Sequence, residues 1–135
     1  MKILYATSEA VPFCKTGGLA DVSGSLPKTL VEEGEEVAVV MPLYSTIRNK
    51  YAEQLEYIGY TYVNLAWRHL YCGVFRLVQD GVQWLFLDNE YYFRRDGLYG
   101  HYDDAERFAF FSKACLDALV ALDFIPDVIQ CNDWQ

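Results

Sequence analysis

The sequence predicts an α/β fold in which a Rossmann-like parallel sheet carries an antiparallel β-meander. A short apolar run at residues 2–7 leads into Gly17-Gly18 and a helical segment at 19–33, the order of strand, tight turn and helix. A second apolar run at 37–41 completes a βαβ unit, whose strands we expect to be parallel. Residues 56–88 are rich in aromatic and β-branched side chains, which is typical of a β-rich region.

The first strand and the first helix are indicated by their hydrophobic patterns. Lys2–Thr7 is almost continuously apolar, which predicts a strand covered on both faces. From Leu19 to Glu33, apolar residues recur at helical spacing. Because Gly24 and Pro27 lie inside this span, we expect a kink or a short first helical piece. Gly34 is the predicted end of the helix.

The middle of the chain predicts a second strand, a weak helix and the meander. The crossover to the strand Val37–Met41 is expected to be right-handed. A weakly patterned helix is predicted around Tyr44–Leu55. Within residues 56–88, Asp80-Gly81 lies between two apolar runs and predicts a hairpin turn. The meander is either inserted into the parallel sheet or added to its edge.

The last third of the chain predicts one long helix and one more strand. Asn89–Tyr102 is predicted to be a loop. Asp103 followed by Glu106 resembles a capping box, and the apolar spacing predicts an amphipathic helix from there to Leu122. Val128–Cys131 is the last predicted strand. Because no helix follows to cover this parallel strand, we expect the chain to be part of a longer protein.

Length and charge exclude several function classes. With 135 residues the chain has the size of one domain, and its net charge of −8 argues against general binding to nucleic acid or to an anionic membrane. No apolar stretch is long enough to span a bilayer. The four cysteines and two histidines lack zinc-site spacing, so no metal site is predicted. Free thiols in a reducing cytosol are the preferred interpretation of these cysteines, which predicts a cytoplasmic protein.

The first candidate site is the segment Lys15–Gly18, called the glycine loop below. Its two glycines let the backbone approach a ligand, the helix that follows offers unpaired amides, and Lys15 adds a positive charge. These features suit phosphate. The loop is nevertheless neither a Walker A motif nor G-x-G-x-x-G. From the spacing alone, a phosphate site and a purely structural turn are equally supported.

Several carboxylates and amides are further candidates, each with a structural alternative. Asp21 either contacts a polar ligand or complements the helix dipole, and Asp103 either contacts a ligand or caps its helix. Glu9, Asn132 and Asp133 follow strands at the edge where open α/β sheets bind ligands. For Asn132 and Asp133 the alternative is a turn.

The loop before the long helix carries aromatic candidates. Tyr91, Tyr92, Phe93 and Tyr99 either stack on sugar rings or pack the loop onto the core, and packing is the default interpretation. His101 is either an acid or base without a visible partner or a surface histidine, which is the default interpretation, and the cysteines are interpreted as core residues.

Six motifs distributed along the chain form one recognisable set: Lys2–Glu9, Lys15–Val22 with Leu26-Pro27, Val40–Pro42 with Tyr44, Arg107-Phe108, Pro126–Val128 and Asn132–Trp134. Together they resemble the amino-terminal opening of bacterial glycogen synthases and plant starch synthases. The resemblance spans the whole chain, and the run Lys-Thr-Gly-Gly-Leu-Ala-Asp-Val is its most specific part.

The resemblance implies a retaining glucosyltransferase that moves glucose from ADP-glucose to the nonreducing end of an α-1,4-glucan. Such enzymes have a GT-B fold of two Rossmann-like domains and need no metal or other cofactor. Residues 1–135 would form most of the amino-terminal domain, and its partner would be the carboxyl-terminal domain of the same enzyme. That second domain would supply most of the nucleotide pocket, so the isolated chain is expected to be inactive.

The resemblance also assigns roles to individual residues. Lys15, Gly17 and Gly18 would contact the phosphate and sugar region of the donor, Asp21 would lie near the transferred glucose, and Asp103 would line the cleft. Gln135 stands where the family often has a histidine, so no histidine role is transferred. Two alternatives remain: a GT-B transferase that uses UDP-glucose, and a non-catalytic nucleotide- or glucan-binding module.

Overall fold

The computed structural model describes every residue from Met1 to Gln135 and contains one six-stranded mixed sheet in the order β3-β4-β5-β2-β1-β6. The strands are β1 (Lys2–Ala6), β2 (Glu36–Pro42), β3 (Glu56–Leu65), β4 (Arg68–Gln79), β5 (Val82–Asp88) and β6 (Val128–Cys131). The helices are α1 (Gly18–Glu32), α2 (Ser45–Tyr51), α3 (Glu90–Phe93) and α4 (Asp104–Asp117), and a 3-10 helix follows at Ala118–Val120. None of these helices combines the length and the apolar character that crossing a membrane requires.

The parallel part of the sheet confirms the predicted βαβ unit. β1 pairs in parallel with β2 on one side and β6 on the other, and β2 pairs in parallel with β5. Residues Ile3–Tyr5 and Val37–Pro42 are buried, as expected for strands covered on both faces. Because these four strands run in one direction, their carboxyl ends meet at one edge of the sheet, called the carboxyl edge below.

The antiparallel meander lies at one side of the parallel sheet. β3 pairs with β4 and β4 with β5, both antiparallel, while β5 joins the parallel part through β2. The meander is therefore added to the edge of the parallel sheet and not inserted into it. Asp80 and Gly81 have φ angles of 55° and 75°, which confirms the predicted hairpin turn.

The structure contradicts one of the two alternatives predicted for the first helix, because α1 continues through both Gly24 and Pro27. The expectation of a short first helical piece is wrong. Packing explains the difference: a Cβ at Gly24 would lie 2.3 Å from Cγ2 and 2.7 Å from the carbonyl oxygen of Val11. The amide of Val11 also donates to the carbonyl of Ala20 at 3.0 Å. The glycine therefore lets the helix lie directly against the segment that follows β1, and this tertiary contact outweighs low helix propensity.

We expect Gly24→Ala to lower the free energy of unfolding by about 1–3 kcal/mol, because the added methyl group must displace Val11. Helix propensity alone would favour alanine by about 1 kcal/mol. A decrease in the free energy of unfolding would therefore show that the added methyl group clashes with Val11. Urea unfolding of Gly24→Ala beside Ser25→Ala, an exposed neighbour in the same helix, measures the difference. Stabilisation by Gly24→Ala would contradict the packing explanation.

The segment after β5 is more ordered than predicted. Within the predicted loop Asn89–Tyr102 lies the short helix α3, and the side-chain oxygen of Asn89 accepts from the amide of Tyr92 at 3.1 Å. Asn89 therefore caps the amino-terminal end of α3, a one-turn helix that the sequence pattern does not predict.

The predicted capping box at the start of α4 is wrong, although Asp103 does precede the helix. Asp103 makes no side-chain cap because Arg95 binds its carboxylate, with Nη2 2.8 Å from Oδ2. Glu106 instead accepts from the hydroxyl of Tyr92 at 2.6 Å. Asp104, the first residue of α4, binds the segment before the helix, since its carboxylate accepts from the amides of Gly100 and His101.

Candidate functional site

The candidate site lies at the carboxyl edge, where segments from distant parts of the chain meet. The side-chain amide of Asn132, beyond β6, donates to the carbonyl of Ala6 at the end of β1 at 2.8 Å. Tyr99, from the segment after β5, lies with its hydroxyl oxygen 2.7 Å from Oγ of Ser8. The rings of Tyr99 and Trp134 are 6.5 Å apart. This edge is where open α/β sheets bind their ligands.

The aromatic core anchors the segment between β1 and the glycine loop. The ring of Phe13 lies 4.8 Å from that of Trp84, 5.1 Å from Phe86 and 5.0 Å from Tyr51. Each of these rings is buried. Because Phe13 immediately precedes Cys14 and Lys15, this packing fixes where the glycine loop begins.

Glu9 anchors the glycine loop through hydrogen bonds, although it lies outside the loop in sequence. Its carboxylate accepts from the amide of Thr16 at 2.5 Å, from the hydroxyl of Thr16 at 2.8 Å and from the amide of Gly17 at 3.2 Å. The hydroxyl of Tyr99 donates to the same carboxylate at 2.9 Å. Glu9 is buried, with 4% of its surface exposed. The Thr16 and Gly17 amides, which an anion could otherwise use, are therefore already occupied by the protein's own carboxylate.

The hydrogen bonds of Glu9 set its charge state. Burial by itself raises the pKa of Glu9, but the hydrogen bonds from Thr16, Tyr99 and Gly17 outweigh burial and hold the pKa below its usual value. The pKa of Tyr99 is raised by burial and by the adjacent Glu9 carboxylate, so its hydroxyl keeps its proton and remains a donor. Glu9 is thus an ionised, internal anchor of the loop at neutral pH.

This lowered pKa predicts a pH dependence of stability. A carboxylate whose folded-state pKa lies below its unfolded value of about 4.3 contributes fully at higher pH and loses its contribution as pH falls through the folded-state pKa. We expect the free energy of unfolding of Glu9→Gln to vary less between about pH 6 and about pH 3 than that of the unaltered protein. Urea titrations across this interval measure both slopes. Identical slopes would contradict the assigned role of Glu9.

Lys15 and Asp21, two predicted site residues, lie side by side. The Lys15 amine contacts both Asp21 carboxylate oxygens, at 3.0 Å and 2.8 Å. About half of each side chain is exposed, 51% for Lys15 and 57% for Asp21. An exposed pair of this kind contributes at most about 1 kcal/mol. A charged ligand can therefore replace either partner at little cost.

Gly17 and Gly18 leave open space beside this ion pair. A Cβ placed on either glycine would meet no atom within 4 Å. Gly18 begins α1, and the amides of a first helical turn have no intrahelical partner. Glu9 binds the amides of Thr16 and Gly17, and the Ala20 amide donates to the Gly17 carbonyl, so a ligand at this surface would meet the Lys15 amine and the amides of Gly18 and Leu19. The geometry is therefore compatible with anion binding at the Lys15 amine and the unbound amides at the start of α1, but not at the amides that Glu9 occupies.

Asp103 is not joined to the glycine loop by any hydrogen bond. Both of its carboxylate oxygens are bound by Arg95, and these bonds hold the pKa of Asp103 below its usual value. Arg95 also donates to the carbonyl of Tyr91 at 2.8 Å. The Arg95–Asp103 pair therefore ties the segment that carries Tyr99 to the start of α4. The position of Asp103 in a ligand cleft stays a prediction.

A cavity of about 400 Å³ lies between the carboxyl edge and α4. Polar groups from Ser8, Asn132 and Asp133 line it at the edge, and Phe111 and Cys115 line it on the helix side. Asp133 has a left-handed φ of 60°, and its own carboxylate accepts from the amide of Trp134 at 2.8 Å. Asn132 and Asp133, which were candidates because they follow a strand at this edge, therefore line a cavity.

The four aromatic candidates before α4 differ in burial and contacts. Tyr92 and Phe93 are fully buried, which confirms the packing interpretation for them, whereas Tyr91 is exposed and does not pack onto the core. Tyr99 contacts Ser8 and Glu9. His101 is half-buried, and its Nε2 atom is buried without a hydrogen-bond partner. All four cysteines are free thiols, and one of them, Cys131, is exposed instead of lying in the core. Tyr99 was missed as an anchor because no sequence pattern links it to a residue 90 positions earlier.

Known proteins resemble this chain over its whole length. Residues 2–135 match the family model described as the starch synthase catalytic domain. Glycogen synthase of Clostridium kluyveri is 54% identical over 135 residues, and that of Clostridium botulinum strain Eklund 17B is 53% identical over the same length. Both alignments cover 100% of this chain and 28% of the relative.

One solved structure extends the similarity to the fold. The catalytic domain of starch synthase IV from Arabidopsis thaliana, bound to ADP and acarbose, superposes with a TM-score of 0.87 at 27% identity. The match covers 98% of this chain and 28% of that protein. It confirms the predicted Rossmann-like domain of a GT-B fold. The chain thus spans little more than a quarter of the proteins that it matches.

Proposed function

This chain belongs to the starch synthase catalytic domain family, and from that membership we propose that it is the amino-terminal domain of a retaining glucosyltransferase. The proposed reaction moves glucose from ADP-glucose to the nonreducing end of an α-1,4-glucan. The observation that carries the proposal is the open surface over Gly17 and Gly18 beside the exposed Lys15–Asp21 pair. The bacterial relatives, which are glycogen synthases, and the plant structure bound to ADP and acarbose support the same choice of substrates.

The proposed role of Lys15 begins with an exchange of partners. When ADP-glucose arrives, the Lys15 amine turns from the Asp21 carboxylate to an oxygen of the diphosphate. The exposed pair offers little resistance to this exchange. Asp21 is then free to accept a hydrogen bond from a hydroxyl of the glucose. As the sugar–phosphate bond breaks, Lys15 stabilises the negative charge that develops on the departing diphosphate.

The remaining residues hold this arrangement in place. Gly17 and Gly18 allow the donor to approach the backbone, and the Gly18 amide adds one hydrogen-bond donor. Glu9 holds the glycine loop through the Gly17 amide, and the Tyr99 hydroxyl holds Glu9 in turn. For Asp103 we propose a place at the wall of the cleft, where its pairing with Arg95 keeps the Tyr99 segment in position.

The second half of the proposed active site comes from a carboxyl-terminal domain. That domain would supply further basic groups for the diphosphate and most of the nucleotide pocket. Closure of the two domains would exclude water, which strengthens each of these electrostatic contacts. The substrate is ADP-glucose, no separate cofactor is proposed, and the free cysteines fit a cytoplasmic location.

Donor comparison tests this proposal. The purified full-length protein is supplied with glycogen and either ADP-glucose or UDP-glucose, and incorporation of labelled glucose is measured. We expect transfer from ADP-glucose with a much higher kcat/KM. Preference for UDP-glucose would indicate another GT-B transferase, and absence of transfer from both donors by folded protein would favour a non-catalytic binding module.

A further inference from the structure

Two buried residues lie between β1 and the glycine loop without any backbone hydrogen bond. β1 ends at Ala6, and the amide of Thr7 still donates to the carbonyl of Val40 beside it, at 3.1 Å. Ser8 and Glu9 follow, and neither makes a hydrogen bond to another backbone group. Only 0% and 4% of their surfaces are exposed. The position of this pair, called the Ser8–Glu9 segment below, therefore depends on bonds from side chains.

Tyr44 holds the Ser8–Glu9 segment from the side of β2. Its hydroxyl donates to the carbonyl oxygen of Ser8 at 2.7 Å, and no other group in the chain bonds to that oxygen. Tyr44 is 1% exposed, and burial raises the pKa of its hydroxyl well above the usual value. The hydroxyl thus keeps its proton and remains a donor. Without it, a buried carbonyl would be left without a partner, which costs free energy.

The support of this hydroxyl is rigid. The backbone carbonyl of Tyr44 accepts from the amides of Ile47 and Arg48 at the start of α2, at 3.1 Å and 3.0 Å. The ring of Tyr44 lies edge-on to that of Phe93, with the ring centres 5.8 Å apart, and Phe93 is fully buried. Packing and the start of a helix therefore fix both ends of the Tyr44 side chain, and the place of Ser8 follows from them.

Tyr99 holds the same segment from the other side. Its hydroxyl oxygen lies 2.7 Å from Oγ of Ser8, and the hydroxyl donates to the Glu9 carboxylate at 2.9 Å. Tyr44 follows β2 and Tyr99 follows β5, so two separate parts of the chain meet at the Ser8–Glu9 segment. The Glu9 carboxylate in turn binds two amides of the glycine loop. A displacement of Ser8 would therefore be passed to the loop through Glu9.

We propose that Tyr44 is a positioning residue for glucose transfer, which sets the place of Lys15 against the donor by holding Ser8, Glu9 and the glycine loop. This inference rests on the proposed function, in which Lys15 binds the diphosphate. Tyr44 is buried and does not meet a ligand at the open surface, so it acts only through the segment that it holds. Positioning matters because a misplacement of about 1 Å can lower a rate about a hundredfold.

Tyr44→Phe in the full-length protein tests the inference, because it removes the hydroxyl and keeps the ring. We expect kcat/KM for ADP-glucose to fall about tenfold, mainly through kcat, while KM for glycogen stays unchanged. The control is Tyr92→Phe, which removes the hydroxyl of another fully buried tyrosine, 2.6 Å from the Glu106 carboxylate and without a bond to the Ser8–Glu9 segment. It should keep the kcat/KM of the unaltered protein. Equal losses in the two variants would show a general effect of instability and overturn the inference.

Hydrogen exchange gives a second readout that does not depend on catalysis. Mass spectrometry of peptides that span residues 14–20 follows the amides of Thr16 and Gly17, which Glu9 binds. Without substrate, we expect these amides to exchange faster in Tyr44→Phe than in the unaltered protein and in Tyr92→Phe. Unchanged exchange in Tyr44→Phe would overturn the inference. Faster exchange with an unchanged kcat/KM would also overturn it, because the loop would then be held by Tyr44 without effect on the reaction.

A second variant keeps the inference testable if Tyr44→Phe does not fold. Tyr99→Phe loosens the Ser8–Glu9 segment from the other side and should show the same two changes, faster exchange of the loop amides and a lower kcat/KM. Neither change in Tyr99→Phe would show that the segment does not control the loop, which contradicts the inference.

Failure of this inference differs from failure of the proposed function. Absence of transfer from ADP-glucose by the folded, unaltered protein would overturn the proposed function, and the role of Tyr44 in the reaction with it. Transfer that is equally fast in the unaltered protein and in Tyr44→Phe would overturn the inference alone.

Discussion

Lys15→Ala in the full-length protein is expected to lower kcat/KM for ADP-glucose by about 10- to 100-fold, which corresponds to about 1.5–3 kcal/mol for a charged hydrogen bond. The physical reason is that Lys15 is the cation of the glycine loop beside the open surface of Gly17 and Gly18. Its loss should affect the transition state most, because charge on the leaving diphosphate grows as the bond breaks. Steady-state kinetics with varied ADP-glucose and saturating glycogen measures the change.

The matched control for this prediction is Lys28→Ala. Lys28 is an exposed lysine on α1, so its replacement changes the net charge equally without touching the loop. We expect its kinetics to equal those of the unaltered protein. If Lys15→Ala had the same kcat/KM as the unaltered protein, Lys15 would not belong to the site. If Lys15→Ala and Lys28→Ala lowered kcat/KM equally, the cause would be a general effect of charge.

Glu9→Ala is expected to cause the largest combined loss of stability and activity. The substitution leaves the amides of Thr16 and Gly17 and the hydroxyl of Tyr99 without their acceptor. Buried donors left unpaired cost about 1–3 kcal/mol each, and partial access to water limits the total here to about 2–4 kcal/mol. The freed loop would also no longer present Lys15 correctly, so kcat/KM should fall together with stability. Urea unfolding and steady-state kinetics measure the two losses.

Graded variants separate anchoring from a general charge effect. Tyr99→Phe removes one of the hydrogen bonds to Glu9 and should cost less than Glu9→Ala. Glu53→Ala, at an exposed position, removes a carboxylate without loop contacts and should change the free energy of unfolding by less than about 0.5 kcal/mol. If Glu9→Ala were as mild as Glu53→Ala, Glu9 would not anchor the loop.

Local sequence patterns were sufficient to predict those elements whose structure depends on residues close together in the sequence. β1, β2 and the turn at Asp80-Gly81 depend on short apolar runs and on turn chemistry, and all three occur where predicted. The prediction errors occur where a contact between residues far apart in the sequence determines the local structure. α1 continues through Gly24 because Val11 packs against it, a contact that helix propensity does not include.

The same distinction applies to the candidate site. Lys15 and Asp21 are six positions apart within one motif, and the structure brings them together as a pair. Glu9 was proposed only from its position after a strand, and its hydrogen bonds to the glycine loop require the chain to fold back on itself. The partners of Asp103 and Glu106 come from other elements, so a capping pattern could not indicate their arginine and tyrosine contacts.

A crystal structure of the full-length protein with ADP-glucose shows whether the glycine loop binds the donor. We expect the donor to lie over Gly17 and Gly18, with the Lys15 amine within about 3 Å of a diphosphate oxygen and no longer bound only to Asp21. The Glu9 carboxylate should keep its bonds to the loop. A donor bound elsewhere, with the Lys15–Asp21 pair unchanged and the surface over the glycines empty, would contradict the proposed role of the glycine loop.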